Sequence, residues 1–263
     1  MRVDHRYGSL MRNAAVAAVA AAAWLAPLRC GAEPLKVLSA GACERFVAAV
    51  AADFEKRQGV QVLVQEDTVG RLVQRINQGE RFDVALMTPA GLERSAGRLE
   101  RGSQIELARV GIGVAVREKT PRPDIRTVES FKRALRQART VAYVDPAAGG
   151  TSGIYFSRLL ERLGIADEIR PKAVLVQGGA VASRVASGDA DIGIQMISEL
   201  VGVKGVVLVG PLPAPVQTYT VYAGALSAAA RDPAGARALL DLLAGPSVAA
   251  QLKAAGLERP SGR

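Results

Sequence analysis

From Leu35 to Met87 the chain reads LKVLSAGACERFVAAVAADFEKRQGVQVLVQEDTVGRLVQRINQGERFDVALM. Leu35-Lys36-Val37-Leu38 is a short apolar run of the kind that forms a strand. Behind it Phe46, Val50 and Phe54 recur one helical turn apart, with Glu44, Arg45, Glu55 and Lys56 between them. That spacing predicts an amphipathic helix, and Gly59 closes it. Val60 to Val64 begins a second strand, Leu72 and Ile76 mark a second helix ended by Gly79, and Phe82 to Met87 gives a third strand. Strands alternating with helices over short links predict an α/β fold, a parallel sheet covered by helices on both sides.

The alternation continues with a second unit. Ile112 to Val116 reads as a strand, followed by the loop Thr120-Pro121-Arg122-Pro123, a helix across Val128 to Gln137 and a strand Val141 to Val144. The Gly-rich loop Asp145 to Gly153 leads into a helix from Ile154 to Leu163, a strand Ala173 to Val176, a helix near Ala180 to Ala186 and a strand Asp191 to Gln195. Val206 to Val209, a stretch with Pro211, Pro213 and Pro215, and a strand Tyr219 to Ala223 follow. Two helices, Pro233 to Leu243 and Ser247 to Ala254, complete the chain. No short period repeats, which excludes a solenoid.

The N-terminal 32 residues read as a secretory signal. Arg2, Arg6 and Arg12 precede Ala14 to Ala26, an uninterrupted apolar run of 13 residues. That is short for a membrane span, and Gly31-Ala32 offers a cleavage site before Glu33. Met11 is an alternative start. Periplasmic residence is therefore expected. Cleavage would remove the only histidine (His5), the only tryptophan (Trp24) and Cys30, leaving Cys43 as the one cysteine and a net charge of +6.

Those losses exclude function classes. Without histidine there is no Ser-His-Asp or Cys-His machinery and no imidazole zinc site, so neither an enzyme nor a cofactor or metal is expected. Cys43 reads as a small buried residue at a helix start. Asp189 and Asp191 read as a helix-to-strand turn rather than a metal pair, and Tyr219 and Tyr222 as packing on a strand. The arginines are scattered, with acids among them and no aromatic platforms between them, which argues against nucleic-acid binding.

The strand-to-helix junctions carry the chemistry. Asp145-Pro146-Ala147-Ala148-Gly149-Gly150-Thr151-Ser152-Gly153 joins a strand to a helix, as do Ser39-Ala40-Gly41-Ala42, Asp67-Thr68-Val69-Gly70 and Gln177-Gly178-Gly179. Glycines free backbone N–H groups to converge, and the first helical turn leaves such donors unpaired, so each junction favours an anion. No Gly-Lys-[Ser/Thr] is present, so this is not an NTPase phosphate loop. In open α/β sheets ligands sit beyond the carboxyl ends of strands, where these junctions lie. Two such units facing each other would form an anion-binding cleft.

Val37 to Cys43 before Phe54-Glu55-Lys56, Gly70 before Leu72 to Ile76 and Phe82-Asp83-Val84, Asp145-Pro146, Leu159 to Gly164, and Gly188-Asp189-Ala190-Asp191-Ile192-Gly193 occur in an order that resembles the periplasmic molybdate-binding proteins of ABC transporters. These belong to the type II periplasmic binding proteins, and the resemblance spans nearly the whole chain past residue 33. It implies a Venus-flytrap of two α/β lobes, each a sheet flanked by helices. Lobe 1 is expected over 33–110 plus 219–263, and lobe 2 over 111–218. It also implies a monomer that captures a small anion, closes by hinge motion and hands the ligand to a membrane permease without performing chemistry on it.

The junctions and the resemblance together place ligand contacts at Ser39, Ala42, Thr68, Val69, Gly149, Gly150, Thr151, Ser152, Gly178 and Met196. Three of these depart from the family pattern. Ala42 stands where a serine is usual, Thr68-Val69 where paired serines are usual, and Met196 where a tyrosine reaches the oxyanion. Two ligand classes therefore stay open, a molybdate- or tungstate-like oxyanion and a small organic carboxylate. A ligand-sensing module without a transport role is a further alternative.

Overall fold

The computed structural model describes residues 33–179 and 181–260. The expected signal over 1–32, with His5, Trp24 and Cys30, lies outside the described residues. The chain enters with β1 (Leu35–Ala40), α1 (Gly41–Gln58), β2 (Val62–Asp67), α2 (Val69–Asn77), β3 (Val84–Met87) and α3 (Pro89–Glu93). It continues through β4 (Ile105–Arg117), α4 (Val128–Gln137), β5 (Val141–Val144), α5 (Thr151–Arg162), α6 (Ala166–Ile169), β6 (Ala173–Val176) and α7 (Val181–Ser187). It ends with β7 (Ile192–Met196), α8 (Ile197–Leu200), β8 (Val206–Pro211), β9 (Tyr219–Leu226), α9 (Pro233–Ala244) and α10 (Ala249–Ala254).

Local chemistry sets these bounds. α1 buries Phe46, Val47, Val50 and Phe54 along one face, and Gly59 ends it in the left-handed region at φ 69°, its N–H donating to the Glu55 carbonyl. Thr68 caps α2, its hydroxyl accepting from the Arg71 N–H, and a reciprocal Thr127/Ser130 box caps α4.

The strands form one mixed sheet in the order β2-β1-β3-β9-β4-β7-β5-β6, with β8 paired to β4. The parallel sheet expected from the first strand–helix alternation is present, β1 running parallel to β2 and β3, and a second parallel block joins β5 to β6 and β7. β9 and β4 run antiparallel to their neighbours. The sheet curls into two lobes flanked by helices, and β4 serves both. Its residues 105–111 pair with β9, and its residues 112–117 with β7 and β8. Gln217 fixes the change of partner: its side-chain amide accepts from the Ile112 N–H at 3.1 Å and donates to the Ile112 carbonyl at 2.8 Å.

Two boundaries differ from the sequence reading for physical reasons. The strand expected at Ile112 begins at Ile105, because Glu106 and Arg109 interrupt the apolar run without ending the strand. Arg109 pairs with Glu258 at 2.9 Å and stacks over the Tyr219 ring at 4.9 Å. The helix expected from Ile154 begins at Thr151. Its first turn is built of small residues because it lies against β5: a Cβ on Gly153 would fall 2.0 Å from the Val144 carbonyl oxygen.

Candidate functional site

The carboxyl ends of β1, β2, β5 and β7 and the loop after β6 open on one cleft. The cavity between its walls measures about 40 Å³. Ala40, Gly41 and Ala42 form the β1–α1 wall, Glu66, Asp67, Thr68 and Val69 the β2–α2 wall, and Val144, Gly150, Thr151 and Ser152 the β5–α5 wall. Gly178, Gly179, Met196, Glu199 and Tyr222 complete it.

The cleft is closed. The Gly70 N–H donates to the Gly149 carbonyl at 3.3 Å, the Thr68 hydroxyl donates to the Ala148 carbonyl, and the Arg71 guanidinium reaches Gln177 Oε1 at 3.3 Å. All three contacts join the β2–α2 side to the β5 and β6 loops. The residues before α1 and α5, Ala40 and Gly150, supply no side-chain cap, so the first-turn amides of both helices keep free donors at the cleft wall.

Among the described residues no lysine or arginine lines the cleft, and of its three acids, Glu66, Asp67 and Glu199, two converge. A Cβ built on Gly41 would lie 2.8 Å from Glu66 Oε2 and 3.0 Å from Glu199 Oε1, so both acids border the same point at the start of α1. Glu199 receives a hydrogen bond from Gln195 Nε2 at 2.7 Å. Burial pushes its carboxyl up to about 8, and the Glu66 charge adds to the rise. Glu66 is also raised, by burial first and then by the carboxylates of Glu44 and Asp67. Tyr222 is buried, and burial raises its phenol well above the usual range although it hydrogen-bonds Thr151. Cys43 lies buried beside Glu199, and burial lifts its thiol far from nucleophilic service.

Eight of the ten residues predicted as ligand contacts line this cleft: Ala42, Thr68, Val69, Gly150, Thr151, Ser152, Gly178 and Met196. Ser39 does not. It is fully buried, and its hydroxyl turns back onto the Ala40 carbonyl at 3.1 Å. Gly149 abuts Gly70 and is not part of the wall. Sequence reasoning missed Glu66 and Glu199 and read Tyr222, which lines the cleft, as strand packing. Glu66-Asp67 immediately precede the Thr68 junction and Glu199 falls one turn after Met196, so adjacency to predicted contacts was the available signal. Asp189 and Asp191 are each engaged by an arginine, Arg184 at 3.1 Å and Arg139 at 2.8 Å. Among the described residues no group of three His, Cys, Asp or Glu could hold a metal, and no helix is long and apolar enough to cross a membrane.

Residues 35–258 match the family model of the bacterial extracellular solute-binding proteins. Among characterised proteins, the chain is similar to an aconitate isomerase of a Pseudomonas species, with 34% identity over 232 residues covering 85% of this chain and 87% of that one. It is also similar to the molybdate-binding protein of Azotobacter vinelandii, at 29% identity over 220 residues, covering 79% and 82%. The solved structure of an Azotobacter vinelandii periplasmic molybdate-binding protein superposes with a TM-score of 0.74 at 22% identity, covering 86% of this chain and all of that one. That superposition establishes the shared two-lobed fold.

Proposed function

This chain belongs to the bacterial extracellular solute-binding protein family, and from that premise we propose that it captures a small organic polycarboxylate between its lobes and delivers it to an ABC-transporter permease. In this reading residues 1–32 are a cleaved export signal, 33–110 with 219–263 form one lobe and 111–218 the other, and the protein works as a periplasmic monomer. Ligand touches both lobes only when they close, so binding favours the closed form by its differential affinity.

The apolar wall of the cleft carries the choice of ligand class. Val69, Met196 and Val144 line it together, and at the first two positions the resemblance to the molybdate-binding family implies hydroxyls. A tetrahedral oxyanion needs donors around most of its surface, and each gap costs desolvation. An organic acid instead offers a carbon skeleton to an apolar wall and carboxylates to separate amide ends. Glu199, held protonated at neutral pH, adds a donor that a carboxylate can accept.

A second reading is favoured by the 34% identity to an aconitate isomerase over most of both chains: the cleft also converts the acid it holds. Thermal unfolding of residues 33–263 against cis- and trans-aconitate, other small carboxylates, molybdate, tungstate, sulfate and phosphate tests the ligand class. A ligand at 100 times its Kd adds about 2.7 kcal/mol. The expected result is a raised Tm with polycarboxylates. A rise confined to molybdate and tungstate would replace this ligand class with the oxyanion one.

A further inference from the structure

We propose that Glu66 and Glu199 act as a base–acid pair on the bound acid, moving a proton from one carbon to another and thereby shifting a carbon–carbon double bond. The inference rests on the reading that the cleft takes a small organic polycarboxylate. It adds the substrate feature required, an acidic C–H beside both a carboxylate and a double bond.

Geometry comes first. The two carboxyls bound one space between two glycines: a Cβ on Gly179 would lie 3.6 Å from Glu66 Oε2 and 3.8 Å from Glu199 Oε1, and Gly41 faces them from the other side. The absence of side chains at 41 and 179 leaves that space to a ligand. Neither acid has a cationic partner. Glu66 makes no hydrogen bond or ion pair among the described residues, whereas Asp67 beside it is taken by Arg75 and by the Thr68 N–H. Gln195 holds Glu199, and although wholly buried it keeps its Oε1 without a partner.

The two environments also divide the roles. Glu66 lies exposed at the mouth and Glu199 deeper, where burial and the Glu66 charge hold it protonated to about pH 8. Cys43 and Tyr222 face Glu199 from α1 and β9, and both stay neutral because burial raises them. At neutral pH Glu199 is thus the neutral acid of the pair, and Glu66, at the solvent-facing mouth, is the carboxyl placed to take a proton, the division that acid–base catalysis requires. No imidazole is needed.

In the step, a Glu66 carboxylate oxygen takes the proton of the activated C–H, and that bonding pair becomes the new double bond. The old double bond shifts its pair to the distal carbon, which takes the proton from the Glu199 carboxyl. One C–H and one O–H break, one O–H and one C–H form, and nothing is oxidised. Return of the proton from Glu66 to Glu199 through solvent resets the pair. Charge developing on the substrate carboxylate meets the uncapped amide ends of α1 and α5.

The test incubates residues 33–263 with cis- and trans-aconitate in deuterium oxide and follows deuterium entry into the carbon skeleton by NMR. Thermal shift on the same samples reports binding and folding. Wild-type protein is expected to exchange carbon-bound hydrogen, and Glu66→Gln and Glu199→Gln each to slow exchange about 100-fold or more while the acid still raises Tm. Wild-type exchange is also expected to fall above about pH 8 as Glu199 loses its proton. Undiminished exchange in both variants overturns the pair but leaves conversion standing. Binding without any wild-type exchange overturns the pair and the conversion, and leaves capture standing. No binding overturns the capture on which the proposal rests.

Discussion

Gly70 and Gly149 meet across the cleft backbone to backbone. A Cβ on Gly70 would lie 2.9 Å from the Gly149 Cα, and one on Gly149 would lie 2.8 Å from the Gly70 Cα. Because the obstructing atoms are main chain, neither position can accept a methyl without parting the lobes. This pair, together with the Thr68 hydroxyl on the Ala148 carbonyl, sets how far the cleft shuts.

Gly70→Ala therefore separates closure from folding. Gly70 lies in α2, where alanine is favoured over glycine by up to about 1 kcal/mol. The unliganded Tm is expected to hold or rise while ligand affinity falls about tenfold or more, since the closed state alone is penalised. Gly149 is the poorer probe, because its φ of 74° adds about 1–2 kcal/mol of backbone cost to any replacement. Titration calorimetry reads the affinity, and small-angle scattering reads whether the variant stays open with ligand. Unchanged affinity would show that ligand capture stops short of this contact.

Glu199 makes the stability of the empty protein depend on pH. Its carboxyl is raised from 4.5 to about 8 in the folded state, so the native protein holds a proton that the unfolded chain releases. The contribution is fully present below about pH 4.5 and is lost as pH rises to about 8. Every tenfold gain in proton affinity on folding is worth about 1.4 kcal/mol, and cleft water reduces the total, giving a decline of about 2–4 kcal/mol across that window. Glu199→Gln is expected to abolish most of the decline and to be more stable than wild type at pH 8. Urea unfolding of both proteins from pH 5 to 8.5 checks this. Parallel curves would contradict it.

The fold was legible where side-chain period and helix ends coincide. Phe46, Val50 and Phe54 with Gly59 define α1, and Thr127 with Ser130 opens α4. The first half of β4 was hidden because Glu106 and Arg109 interrupt its apolar run; Arg109 is held at the edge by Glu258 and Tyr219. Most of the cleft was legible from junction chemistry, since small and hydroxyl residues after a strand mark where backbone donors gather. Its carboxyls were not. Glu66 reads as the polar end of a strand, and Glu199 lies in α8, a four-residue helix too short to show a period. Which way an acid on a single turn faces is settled by packing across the sheet, which local sequence does not encode.

The acid limit of stability is expected to lie with Glu80. Arg75 grips it with Nε–Oε2 at 2.6 Å and Nη2–Oε1 at 2.7 Å, and Lys36 adds a bond at 2.8 Å. The Arg75 hydrogen bonds, with help from Lys36, hold the carboxyl down at about 2. The folded value lies below the unfolded one, so this stabilisation is present above about pH 4.5 and lost as pH falls towards 2. Glu80→Gln is expected to cost about 1–3 kcal/mol at pH 7, a charge-assisted pair with both side chains about a quarter exposed. At pH 3 the gap between the urea midpoints of variant and wild type should narrow. Arg75 also reaches Gln65 and Asp67 at the end of β2, so the variant is expected to loosen the wall that presents Thr68 and to weaken ligand binding modestly.

Gly41→Ala distinguishes a cleft that needs its central space from one that merely lines a surface. Gly41 opens α1 with no left-handed requirement on its backbone, so a methyl there is conformationally easy and gains helix propensity. The added carbon would enter the point bordered by Glu66 and Glu199, at 2.8 and 3.0 Å from their oxygens. Those oxygens end flexible side chains and can move aside in the empty protein, so its Tm should change by no more than about 1 kcal/mol in equivalent stability. A ligand held between the carboxyls cannot move aside in the same way. Binding of the acid is expected to fall about 30-fold or more, as displaced contacts and unfilled donors add about 2 kcal/mol or more to its cost. A variant that kept full affinity would place the ligand away from Gly41, nearer Met196 and Tyr222, and would remove Glu66 and Glu199 from contact with it.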